Sequence, residues 1–132
     1  MSVLRPLLLC VALVFAAPAA AGLGEERGIT EGLINVGIAY EISEVCPTIG
    51  ARRVRGLRYL LALRGAASDL GYSRAEIEAF IDDDAEKDRL EAIARDRLAG
   101  LGAARGDVAA HCAVGRSEVD RDTQVGRLLA PR

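Results

Sequence analysis

The sequence predicts an all-α fold: a small irregular bundle of about five helices, closed by one disulfide. Three observations carry that expectation. Apolar residues recur at three- and four-residue spacing through most of the chain, the period of one helix face. Ser73-Arg74-Ala75-Glu76 forms a capping box, in which serine and glutamate satisfy each other's orphan backbone N–H groups. Of the three cysteines, Cys46 and Cys112 remain once the N-terminal segment is set aside, and an even pair in a small exported domain is most simply a disulfide. Two buried free thiols are the alternative.

The chain opens with a short region whose one positive side chain is Arg5, followed by an apolar run from Leu7 to Ala17 and small residues up to Gly22. That order describes a secretory signal peptide over residues 1–21, with cleavage after Ala21 or after Ala19. The run is too short for a membrane span, which needs roughly 20 apolar residues. Cys10 lies too early in the run for lipid attachment and is expected to leave with the leader. The mature chain is then periplasmic or secreted.

Residues 22–28 are rich in glycine and charge and are expected to form a flexible tail before a single domain over residues 29–130. Ile34, Val36, Ile38, Tyr40 and Ile42 alternate as in a strand, but no second strand is evident to pair with them. A helix over 29–45 is preferred, apolar on two sides and wedged between neighbours. Cys46-Pro47 ends it, because the residue before proline is pushed out of helical geometry.

A second helix is expected from about Ile49 to Leu70, burying Val54, Leu57, Leu60, Leu61, Leu63, Ala67 and Leu70, with Gly71 as its stop. The capping box then opens a short helix carrying Ile77, Phe80 and Ile81. Another starts near Asp84 and is amphipathic through Leu90, Ile93, Ala94, Leu98 and Leu101, with Glu91 and Arg95 as an exposed i,i+4 pair. Asp107 is the expected N-cap of a helix holding Val108, His111 and Cys112, which Gly115 bends or interrupts. A last helical stretch with Val119, Val125, Leu128 and Leu129 closes the chain.

Composition excludes more than it identifies. The full chain carries a net charge of −2, and loss of Arg5 with the leader makes the mature chain more acidic, against a nucleic-acid partner. Asp82-Asp83-Asp84 with Glu86 and Asp88 lacks the glycine and glutamate of a calcium loop in either register, and carboxylates at a helix start are favourable without metal. His111 is the single histidine, too few for a zinc centre, so no metal and no cofactor are expected. No nucleophile elbow or dinucleotide loop is present, and no catalytic residues are assigned. The best candidate interaction face is Arg52, Arg55 and Arg58, suited to an acidic partner or anionic headgroups, though a solvated helix face explains the arginines equally well.

Two stretches, Glu44-Val45-Cys46-Pro47-Thr48-Ile49 and His111-Cys112-Ala113-Val114-Gly115-Arg116 running on to Gly126-Arg127-Leu128-Leu129, flank Gly71-Tyr72-Ser73. In that order they resemble a family of small exported alphaproteobacterial helical proteins classed as a domain of unknown function, over about residues 30–129. The resemblance implies a helical domain that keeps the Cys46–Cys112 pair. Genes of that family can lie among those for the respiratory NADH–quinone oxidoreductase, so it also implies an accessory role at the periplasmic side of that membrane complex. It offers no catalytic residues to carry over. The expected protein is a non-enzymatic interaction or accessory protein, with a module binding a small ligand or cation between its helices as the alternative.

Overall fold

The computed structural model describes residues 22–132, and the expected leader, its cleavage site and Cys10 lie outside them. The described chain is all-α: α1 (Arg27–Val45), α2 (Arg53–Asp69), α3 (Arg74–Ile81), α4 (Asp84–Gly100), α5 (Val108–Asp120) and α6 (Gln124–Arg127). A 3-10 turn, Leu23–Glu25, precedes α1, and two three-residue strands, β1 (Ile49–Ala51) and β2 (Leu129–Pro131), pair antiparallel.

Residues 34–42 are therefore helix, and α1 is the central element. It packs against α2, α4, α5, α6 and β1, as its two apolar sides require. Ile34, Ile38 and Ile42 point into the main core with Leu98, Val125 and Leu129, and Ile42 and Leu129 are wholly shielded from solvent. A smaller cluster of Leu23, Ile29, Ala67 and Ile77 sits beneath α3. Leu23 belongs to it, so the expected flexible tail over 22–28 is instead folded down: the 3-10 turn buries Leu23 and α1 has begun by Arg27.

Cys46 caps the C-terminal end of α1 and is bonded to Cys112 in α5, 66 residues away. Closing a loop of that length stabilises the fold by about 4 kcal/mol in the chain-entropy treatment. The bond anchors the α1–β1 corner to α5, beside the strand pair that ties this corner to the C-terminal segment.

That strand pair displaces two sequence expectations. Ile49 does not start α2; it is buried in β1 opposite Pro131, and α2 starts only after Arg52. The closing helical stretch is likewise cut to the single turn of α6, because Leu129–Pro131 is drawn into β2. Arg52 N–H donates to Leu128 O (2.8 Å) and Arg132 N–H to Thr48 O (2.9 Å), extending the ladder at each end.

Gly115 neither bends nor interrupts α5, which runs unbroken through it. A Cβ there would lie 2.7 Å from Ile49 Cδ1 and 2.8 Å from Ile42 Cγ2, so this glycine is needed for close approach and not for a break. The capping box forms as the sequence implies: Glu76 N–H donates to Ser73 Oγ (3.1 Å) and Ser73 N–H to Glu76 Oε2 (2.7 Å). Asp107 caps α5 through Ala110 N–H, and Gly71, at φ 95°, follows the end of α2.

An apolar groove between the helices

An apolar concavity follows from how α1 holds its neighbours. α2 closes on α1 at Gly32, where a Cβ would meet Leu63 Cδ2 at 2.6 Å. α4 closes on it at Gly37, whose Cβ position is 3.2 Å from that of Ala94. Both helices rest on α1 and leave a groove of about 620 Å³. Its floor is Leu33, Val36 and Tyr40 of α1, one wall is Leu60, Leu61 and Leu63 of α2, and the other is Leu90 and Ala94 of α4. Phe80 and Ile81 of α3, with Leu23, line it as well.

The wall provided by α2 is where sequence and structure part most. The sequence places Val54, Leu57 and Leu61 in the core, yet they are 67%, 59% and 57% exposed. At three- and four-residue spacing they form one stripe, which enters the groove at Leu61. Only Ala67 of α2 is fully buried, with Tyr59 and Leu63 half-buried towards α1. Tyr40 and Ile81 are also more than half exposed at the groove. Full burial of a leucine or valine side chain is worth about 1.5–3 kcal/mol, so covering these three α2 residues from their present exposure would release roughly 3–5 kcal/mol.

The charges around this surface are unevenly committed. Arg64 pairs with Glu78 of α3. Arg95 lies 3.8 Å from Glu41 and 3.7 Å from Glu91, and Glu86 pairs with Arg89 at 2.8 Å. Glu41 and Glu91 thus share one arginine, and Glu86 has its own. Lys87, at the groove edge, and Arg53 and Arg58 of α2 have no ion pair among the described residues.

The three arginines singled out in the sequence are separated by the fold. Arg52 precedes α2 and its Nε donates to Leu129 O (2.8 Å); Arg55 Nη1 donates to Arg127 O (3.2 Å). Both therefore bind the C-terminal segment. Arg58 alone stays unattached, one turn from Val54 and from Leu61. Sequence reasoning missed the groove because the apolar period of α2 marks the residues without saying which of them a neighbour covers.

The remaining candidates have structural surroundings. Asp83 caps α4 by accepting from Glu86 N–H (3.1 Å). His111 is buried, its Nδ1 2.7 Å from Asp107 O, beside a shallow hollow of about 300 Å³ bordered by Arg105 and Asp96. Among the described residues no three His, Cys, Asp or Glu side chains gather in a metal-binding arrangement, and no helix is long and apolar enough to cross a membrane.

No curated protein and no solved structure matches the chain. A family model does, that of the Family of unknown function (DUF5333), and it spans residues 21–130, from the edge of the expected leader into β2. The match takes in the disulfide, every helix among the described residues and all the residues of the groove, and the chain belongs to that family.

Proposed function

We propose that this is a non-enzymatic interaction or accessory protein of the periplasm, and that it docks on its partner through the groove and the adjoining stripe of α2. The observation that carries the reading is the exposure of Val54, Leu57 and Leu61 in continuity with an apolar groove. Large exposed apolar patches on small domains mark interaction sites, since the chain gains nothing by leaving them wet. Export is supported by the leader pattern of residues 1–21, and the Cys46–Cys112 bond is compatible with an oxidising compartment. The resemblance to small exported alphaproteobacterial proteins supports a partner in or on a respiratory membrane complex.

The test is a paired purification from the native host in mild detergent, of the tagged wild type and of a Leu57→Asp, Leu61→Asp variant. A stoichiometric membrane-complex partner is expected with the wild type, absent from the variant, and the complex should re-form from purified components. Recovery of the same partner with both would remove the groove from the account. The intact mass also reports whether residues 1–21 are gone.

The groove volume supports a second reading, a small apolar ligand, because such pockets span about 300–1,000 Å³. A thermal-shift screen with apolar amphiphiles tests it, and a flat response would dismiss it.

A further inference from the structure

We infer that the occupant of the groove is an amphipathic α-helix of a different protein, apolar on one stripe and carrying carboxylates along its flanks. The inference rests on the docking reading above and adds the chemistry of the partner. Shape gives the first argument. Leu33 and Val36 on the floor are half-buried beneath the walls, so a flat bilayer would touch α2 and α3 but leave them unfilled. A convex helix reaches them, as in helix-in-groove recognition by anchors three, four and seven residues apart. The stretch of α2 from Val54 to Ala67 is about 20 Å long at 1.5 Å per residue, which sets the occupant at three to four turns.

Charge gives the second. Of the acidic side chains of the groove, Glu86 faces Arg89, and Glu41 and Glu91 share Arg95. Among the residues that line the groove or flank the stripe, those with no ion pair are basic: Lys87 at one edge, Arg53 and Arg58 beside the exposed stripe. Acidic flanks on the incoming helix would pair with these; basic flanks would be repelled. A second copy meeting this one through a twofold α2 contact would bring Arg53 and Arg58 of both copies into one interface, an arrangement that like charges oppose.

The experiment selects binders to the purified, disulfide-bonded protein from a phage-displayed library of random 16-residue peptides. Enrichment is expected for peptides with leucine-like residues at three- and four-residue spacing and a net negative charge. Their affinity should fall at least tenfold for Leu57→Asp, Leu61→Asp, and at least tenfold for Arg58→Glu, Lys87→Glu. Enriched peptides that are neutral or basic, or that ignore the charge reversal, overturn the acidic-helix inference while the groove stands. Peptides that bind the Leu57, Leu61 variant undiminished, or no enrichment at all, overturn the docking reading as well. Two parallel measurements expose the other occupants. Sedimentation with phosphatidylglycerol vesicles, or a dimer that Leu61→Asp dissociates, would assign the surface to a membrane or to a second copy and overturn the inference.

Discussion

Replacing Gly126 with alanine should be among the most damaging single-methyl changes available to this protein. The added Cβ would lie 1.9 Å from Glu118 O, 2.4 Å from Glu118 C and 2.7 Å from Val119 N. All three are backbone atoms of α5, so no side chain can swing aside. Even to reach 3.0 Å, the shortest separation real Cβ atoms tolerate, α6 and α5 must part by more than an ångström. α6 carries the buried Val125, and Leu128 follows it into the core. The same corner is fastened by Thr123 and Arg121, whose side chains both bond the Glu118 carboxylate. Forcing an extra methyl into a filled site costs about 1–3 kcal/mol, and with rigid α5 backbone against it the upper end, about 3 kcal/mol, applies. Urea denaturation of the oxidised protein reads this directly. With a slope of about 1–3 kcal/mol/M for a small domain, the midpoint should fall by roughly 1.5 M without a change in slope. Gly65→Ala is the control, because Gly65 lies within α2 with open space around it and alanine there should stabilise by about 0.5–1 kcal/mol. A Gly126→Ala protein as stable as wild type would refute the packing of α6 on α5.

Three further perturbations follow from the same structure. Replacing Cys46 and Cys112 together with serine should remove about 4 kcal/mol, read as a lowered denaturation midpoint that reducing agent reproduces in the wild type. Ser73→Ala should cost about 1 kcal/mol by leaving an N–H at the start of α3 unsatisfied, measured by thermal unfolding. The Arg97 guanidinium, bidentate on Glu31 at 2.7 Å, holds the Glu31 carboxyl below the usual carboxylate range. Its contribution is therefore present above the unfolded-state pKa and fades as pH falls through the lower folded value; the pair is exposed, so the effect is small. Glu31→Gln should flatten that part of the acid stability profile, and a profile identical to wild type would deny the pair any role.

How much of this was legible in the sequence depends on the range of the forces involved. The capping box at Ser73, the Asp107 cap, the stop at Gly71 and the amphipathy of α4 are local and were readable. The pairing of Cys46 with Cys112 was readable because only two cysteines remain beyond the leader segment. β1 and β2 were not, because three residues show no periodicity and their partners lie some eighty positions apart. Gly115 looks like a helix breaker until the neighbours that press on it are known. The arginines at 52, 55 and 58 share a spacing, but two of them are drawn to backbone carbonyls at the far end of the chain. The groove was hidden for the opposite reason. The periodicity of α2 announces a buried face, and the fold supplies a neighbour for only part of it.

The central claim is that this uncovered part of α2 is covered by another protein. Site-specific photo-cross-linking in the native host measures it most directly, with a benzophenone amino acid at Leu61 and, as control, at Ala62 on the next face of the same helix. The account predicts a discrete cross-linked species of higher mass from position 61, absent or much weaker from 62, and lost when Leu57→Asp is added. Equal cross-linking from both positions, or none from Leu61 while the protein is folded and at normal abundance, would contradict it.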